Sequence, residues 1–145
     1  MKKYIFLALT LFSLSACTYI QGRGDYIPVG PQNLSTKFKD GKDLPIFTHV
    51  TQITRPWANI GLQRIKNLPN NPKVIEENIL YMKDFAAKHG ADAILIKQYF
   101  DENERQRPIT LATNLVKYLD DLTKEDEEKI LQFAQTTAAL NKEDK

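Results

Sequence analysis

The chain has 145 residues, 26% of them charged and 42% hydrophobic, which is the balance of a single ordinary folded domain with appendages. Once Lys2 and Lys3 are set aside, basic and acidic side chains balance at 18 each, so there is no electrostatic footprint for nucleic acid. One cysteine excludes an internal disulfide and a cysteine-rich zinc cluster.

Met1-Lys2-Lys3 is a short positive start, and Tyr4 to Ser13 is an apolar run of ten residues. A spanning helix needs roughly 20. The run fits the h-region of a secretory signal, closed by the small residues Ser15 and Ala16 before Cys17. A transmembrane anchor would need the run to continue, but Tyr19-Ile20 gives way to Gln21, Gly22, Arg23, Gly24 and Asp25. Leu14-Ser15-Ala16-Cys17 resembles the lipobox of bacterial lipoproteins. The resemblance implies diacylglyceryl transfer to the Cys17 sulfur, signal cleavage between Ala16 and Cys17, and acylation of the new Cys17 amino group. Several acyl chains anchor stably where one is marginal, at about 0.8 kcal/mol per buried methylene. An ordinary signal peptide with an incidental cysteine is the rival. Thr18 stands where an aspartate would resemble an inner-membrane retention signal, which leans toward the outer membrane in an organism that has one.

Residues 17–43 have a linker composition. They hold four of the six glycines (Gly22, Gly24, Gly30, Gly41), Pro28 and Pro31, and no sustained period. A flexible tether of this length would reach roughly 30 Å. Tyr19, Ile20, Tyr26, Ile27 and Val29 are more apolar than a pure spacer and give part of it the means to dock. Arg23-Gly24-Asp25 matches an integrin-binding tripeptide, which chance in a polar tether explains better.

Leu44 to Thr54 is rich in β-branched residues and reads as a strand, with Phe47, His49, Thr51 and Ile53 on one side. Arg55-Pro56-Trp57 interrupts it. Ala58 to Ile65 resumes an extended pattern in which Gly61 marks a bulge or a close backbone approach, and Asn67 to Pro72 is a loop. The clearest helix follows. Asn71 is the N-cap and Pro72 the first helical position. Glu76 and Glu77 suit the positive end of the dipole. Ile75, Ile79, Met82, Phe85, Ala86 and His89 share one face, and Gly90 is the C′ residue. Ala91 to Phe100 reads as a central strand, Asp101 to Pro108 as a solvated turn, and Ile109 to Leu119 as the hairpin partner. Thr123 caps a last helix to about Leu140, with Asp126 placed as in a capping box. Ile130, Phe133, Ala134, Thr137 and Ala138 form its expected buried stripe, and residues 141–145 should fray.

The order β-β-α-β-β, with a C-terminal helix, predicts an α+β domain over residues 44–140. A small antiparallel or mixed sheet would carry one helix on its face, after a signal peptide (1–16) and a tether (17–43). "FAAKHGADAILIKQYF", with its Gly90-Ala91-Asp92-Ala93 junction, and the upstream "RPWANIG" resemble YbjQ-type domains and RcsF-like envelope lipoproteins. The resemblance implies the fold alone, since the cysteine pairs of the RcsF group are missing. The junction also follows from glycine ending the helix and alanines packing beneath it.

No nucleotide loop or nucleophile elbow is present. His89 suits a helix end, and His49 suits packing or surface; neither has a second ligand at i+3 or i+4. Asp120, Asp121 and Glu125 to Glu128 lack the spacing of a calcium loop. Arg105-Gln106-Arg107 could meet phosphate or lipid heads, but suits a solvated hairpin tip. Arg55 and Trp57 are the candidate partner-binding residues: a tryptophan at a turn either anchors a partner or closes a core. The expected function is a membrane-anchored, non-enzymatic adaptor or sensor lipoprotein of the bacterial envelope. It would bind an envelope protein or itself, with no cofactor and no metal. The alternative is a small-ligand-binding or enzymatic periplasmic domain, for which a deep pocket with convergent polar groups would argue.

Overall fold

The computed structural model describes residues 24–99 and 108–143. Ala16, Cys17 and the loop Arg105 to Arg107 therefore lie outside the described residues. The elements are β1 (Asp25–Pro28), β2 (Ile46–Phe47), β3 (Trp57–Leu68), α1 (Pro72–Lys88), β4 (Ala93–Tyr99), β5 (Ile109–Tyr118) and α2 (Lys124–Glu143), with single 3-10 turns at Gly41–Asp43 and Val50–Gln52. The strands form one sheet in the order β1-β3-β5-β4-β2. Pairing is antiparallel except between β2 and β4, so the sheet is mixed and the domain is α+β.

The expected hairpin is β4–β5, in register from Ala93 opposite Val116 to Tyr99 opposite Thr110. The Gly61 expectation also holds: the β3–β5 register shifts between Asn59 and Gly61. Helix α1 starts where Asn71 Oδ1 accepts the Lys73 N–H at 2.9 Å, and ends at Gly90 with φ +82°. Glu76 and Glu77 fall in its second turn, beyond the reach of the end dipole, and its first turn carries no acid. The helix covers one sheet face. Met82 meets Ile65, Ile96 and Leu111, while Ala86 meets Ile60, Ile94 and Leu115. On the other face Ile53, Leu95, Val116 and Tyr118 cluster with Phe47 and Trp57. Burying a large aliphatic side chain fully contributes about 1.5–3 kcal/mol.

Three sequence expectations are corrected. First, the tether does not extend to Asp43. Asp25 to Pro28 pair with β3, Leu34 and Leu44 are buried, and residues 29–44 form a strap across the domain. Glycine permits this closeness: a Cβ on Gly41 would lie 2.3 Å from the Asp84 backbone in α1, and one on Gly90 would lie 2.1 Å from the Leu34 carbonyl oxygen. Second, Leu44 to Thr54 is a strand only at Ile46–Phe47. The Gln52 side chain accepts the N–H groups of Thr48 and His49, which turns the chain. Phe47 and Ile53 still meet in one cluster, brought together by that turn.

Third, the stripe of α2 is not buried. Thr123 Oγ1 caps the helix by accepting the Asp126 N–H at 3.1 Å. The Asp126 carboxylate does not return to Thr123 but accepts the Ser35 N–H, at 3.0 Å to Oδ1. Lys129 Nζ donates to the Asn33 carbonyl. Beyond Ile130 the helix leaves the domain, and every side chain from Leu131 to Leu140 is exposed. The helix also continues to Glu143, into the segment expected to fray.

Candidate functional site

The short β2 shapes a groove at the sheet edge. It ends opposite Leu95, so among the described residues no strand lies outside β4 from Ile96 to Tyr99. An open edge presents unpaired backbone donors and acceptors. Beside it, between α1 and β4, is a hollow of about 530 Å³ with Ile46, Ile79, Ile96 and Leu111 as its apolar lining and His49 and Lys97 as polar members. A second hollow of about 510 Å³ continues past Ile46 and Ile79 along α1, to Ile75 and Leu80. Ile46 and Leu80 are 41% and 48% exposed, which is high for large aliphatics and marks one continuous apolar groove. Thr48 and Gln98 complete the lining of the first hollow, and no group of three metal-binding side chains occurs among the described residues.

Arg55 and Trp57 lie elsewhere, at the end of the opposite sheet face. Trp57 is half-buried in the cluster with Ile53 and Val116. Arg55 Nε donates to both Asp120 oxygens at 3.1 and 3.0 Å, and Nη2 reaches Oδ1 at 2.7 Å. The guanidinium also sits 4.0 Å from the Tyr118 ring centre. Its hydrogen bonds hold the Asp120 carboxyl below the usual carboxylate range, while Lys37 does the same for Asp121. Burial is the main cause of the raised Tyr118 phenol. The fork of Arg55 is thus already engaged inside the chain.

The acidic cluster disperses in the same way: Asp120 goes to Arg55, Asp121 to Lys37, Glu125 to Lys129 and Asp126 to Ser35. His89 Nδ1 lies 2.8 Å from the Phe85 carbonyl oxygen and its ring stacks on Phe85 at 4.0 Å. Of the integrin-like tripeptide, Asp25 opens β1, with its carboxylate 3.5 Å from Lys66 Nζ.

A buried polar cluster escaped the sequence reading. Asp92 and Lys117, with side chains 11% and 3% exposed, pair at 3.1 Å. Asp92 Oδ2 also accepts the Tyr118 N–H at 3.0 Å, and Oδ1 accepts from Thr36 Oγ1 at 3.2 Å. Lys117 Nζ donates to the Ser35 carbonyl. Two of these bonds join Asp92 to β5, and the other two tie Thr36 and Ser35 of the strap to that pair, so the cluster holds the fold. The signal was a lysine inside the apolar run "NLVKYL".

No family model matches the chain, and no curated protein matches it. A solved structure with some likeness is the crystal structure of a Francisella virulence factor, FvfA, in the orthorhombic form. It is 22% identical, with the match covering 63% of this chain and 94% of that one, at a TM-score of 0.44. Likeness at this level assigns no function.

Proposed function

We propose that the protein is a membrane-anchored bacterial lipoprotein that acts as a non-enzymatic binding module of the cell envelope. The observation that carries the binding role is the apolar groove running beside the open edge of β4. An extended segment of an envelope protein would add to that edge through its backbone and place an apolar side chain between Ile46, Ile79 and Ile96. The exposed Lys97 on the edge limits indiscriminate strand pairing and favours a segment with an acidic flank. The groove favours binding over the enzymatic alternative because it is open and its exposed wall is mainly apolar. The membrane anchor rests on the residues Met1 to Cys17.

Two measurements separate these claims. A photoreactive residue at Gln98 in intact cells is expected to capture a protein partner, and Ile79→Lys should abolish that capture. Capture from position 120 on the opposite face, with none from 98, would move the site. For the anchor, fatty-acid label and membrane sedimentation are expected for the wild type and lost in Cys17→Ser. Equal labelling of both would end the lipoprotein reading and leave the groove untouched.

A further inference from the structure

The Ile94 N–H donates across the sheet edge to the Pro45 carbonyl at 3.0 Å. By the alternation of a strand, the backbone groups of Ile96 and Gln98 face the same way, and β2 reaches only as far as Leu95. Gln98 therefore offers both its N–H and its C=O at the open edge. Its side chain lies on the α1 side of the sheet, as do Leu111 and Ile96. A residue set opposite Gln98 would aim its own side chain at Ile79, Ile96 and Leu111, the apolar wall of the first hollow. Toward β2 the path is closed. Thr48 and His49 line the same hollow at the point where the Gln52 side chain turns the chain away from β4. A strand added antiparallel to β4 meets them almost at once after passing Gln98. The charge of the hollow is also one-sided. His49 and Lys97 line it, both are exposed, and neither is in an ion pair among the described residues. No described acid lines it, and Glu76 belongs to the second hollow, past Ile79.

We propose that the groove receives the free C-terminus of a protein chain, laid antiparallel to β4 with its last residue opposite Gln98. The proposal rests on the groove reading above and narrows it: the acidic flank is the terminal carboxylate itself. That carboxylate accepts the Gln98 N–H and the ammonium of Lys97, whose flexible stem reaches round the edge, with the His49 ring beside it. The last amide N–H donates to the Gln98 carbonyl. The last side chain is aliphatic and fills the hollow. The residue before it points to the opposite face of the sheet and is free to be polar. Three observations select a chain end over an internal segment. The path beyond Gln98 is closed by Thr48 and His49, two cationic or ionisable groups stand unpaired at that closed end, and the lining has no acid that would repel a carboxylate.

The probe is the peptide Gly-Ser-Thr-Val-Thr-Ile, labelled with fluorescein at its first residue and made both as the free acid and as the carboxamide. Each form is titrated with the full chain and read by fluorescence anisotropy. The free acid is expected to bind about 10-fold or more tightly than the carboxamide, since a charge-assisted contact is lost in the latter. Lys97→Met should remove most of that preference and leave the carboxamide's affinity unchanged. Its unfolding midpoint should also stay unchanged, because Lys97 is exposed. The register-shifted acid Gly-Ser-Val-Thr-Ile-Thr, which turns its aliphatic side chains to the other face, should bind about 10-fold more weakly than the first. Equal binding of acid and carboxamide would overturn the proposal and leave the groove as a site for internal segments. Binding of neither peptide would overturn it as well, and capture from Gln98 in cells then decides whether the groove reading survives. None of these outcomes depends on a lipid at Cys17.

Discussion

Asp92→Ala is expected to cost about 3–5 kcal/mol of stability, because it leaves the Lys117 ammonium buried without its counter-charge. The Tyr118 N–H loses its acceptor in the same step, whereas the Thr36 hydroxyl keeps the Ala91 carbonyl at 2.9 Å. Lys117→Met should cost a similar amount by stranding the carboxylate and the Ser35 carbonyl. The double variant should recover part of the loss, since no unpaired charge remains, although the Ser35 carbonyl still lacks its donor. Urea unfolding of the two single variants and the double variant reads the coupling directly, and we expect at least about 1 kcal/mol of non-additivity. Strictly additive losses would show that the two groups do not meet inside the protein.

Gly90→Ala is the second large effect, at about 3 kcal/mol or more. Two costs coincide there. The residue sits at φ +82°, which an L side chain adopts with strain, and the new methyl would lie 2.1 Å from the Leu34 carbonyl oxygen. Neither the C-cap nor the strap can yield without exposing Leu34 and Leu44, which are 6% and 1% exposed. Gly41→Ala tests the steric part alone, because its backbone is not in the left-handed region and the new methyl meets only the Lys83–Asp84 backbone among its nearest atoms. Overpacking of that kind typically costs about 1–3 kcal/mol. Alanine at the exposed Lys39 in the same strap should stay within about 0.5 kcal/mol. A neutral Gly90→Ala in thermal or urea melts would mean that the strap does not lie against the end of α1.

What could be read from the sequence was local. Asn71-Pro72 and Gly90 set the ends of α1 through their own backbone chemistry, and Gly61 marked the β3 irregularity for the same reason. The strap was missed because its contacts have no period. It holds on through two widely spaced leucines, two glycine approaches and hydrogen bonds to Asp92, Lys117 and Asp126. Leu44 to Thr54 was over-read as strand because β-branched residues suit any half-covered surface, and a single glutamine side chain was enough to bend it. The stripe on α2 was real as a pattern. Periodicity shows that a face is apolar, but not whether the same chain covers it. The groove had no sequence signature, since Ile46, Ile79 and Ile96 come from three separate elements.

The docking of β1 changes the mechanics of the anchored chain proposed above. With Gly24 already at the folded body, only the steps from Cys17 to Gly24 separate lipid from domain. At about 3.3–3.6 Å per residue, seven steps span at most roughly 25 Å even when fully stretched. Were the chain anchored as proposed, the domain would be moored close to the headgroups instead of ranging freely above them. Its search would be confined to a thin layer along the bilayer, where a partner would meet it by sideways diffusion. Pulling on the lipid would load β1 first, the outermost strand of the sheet.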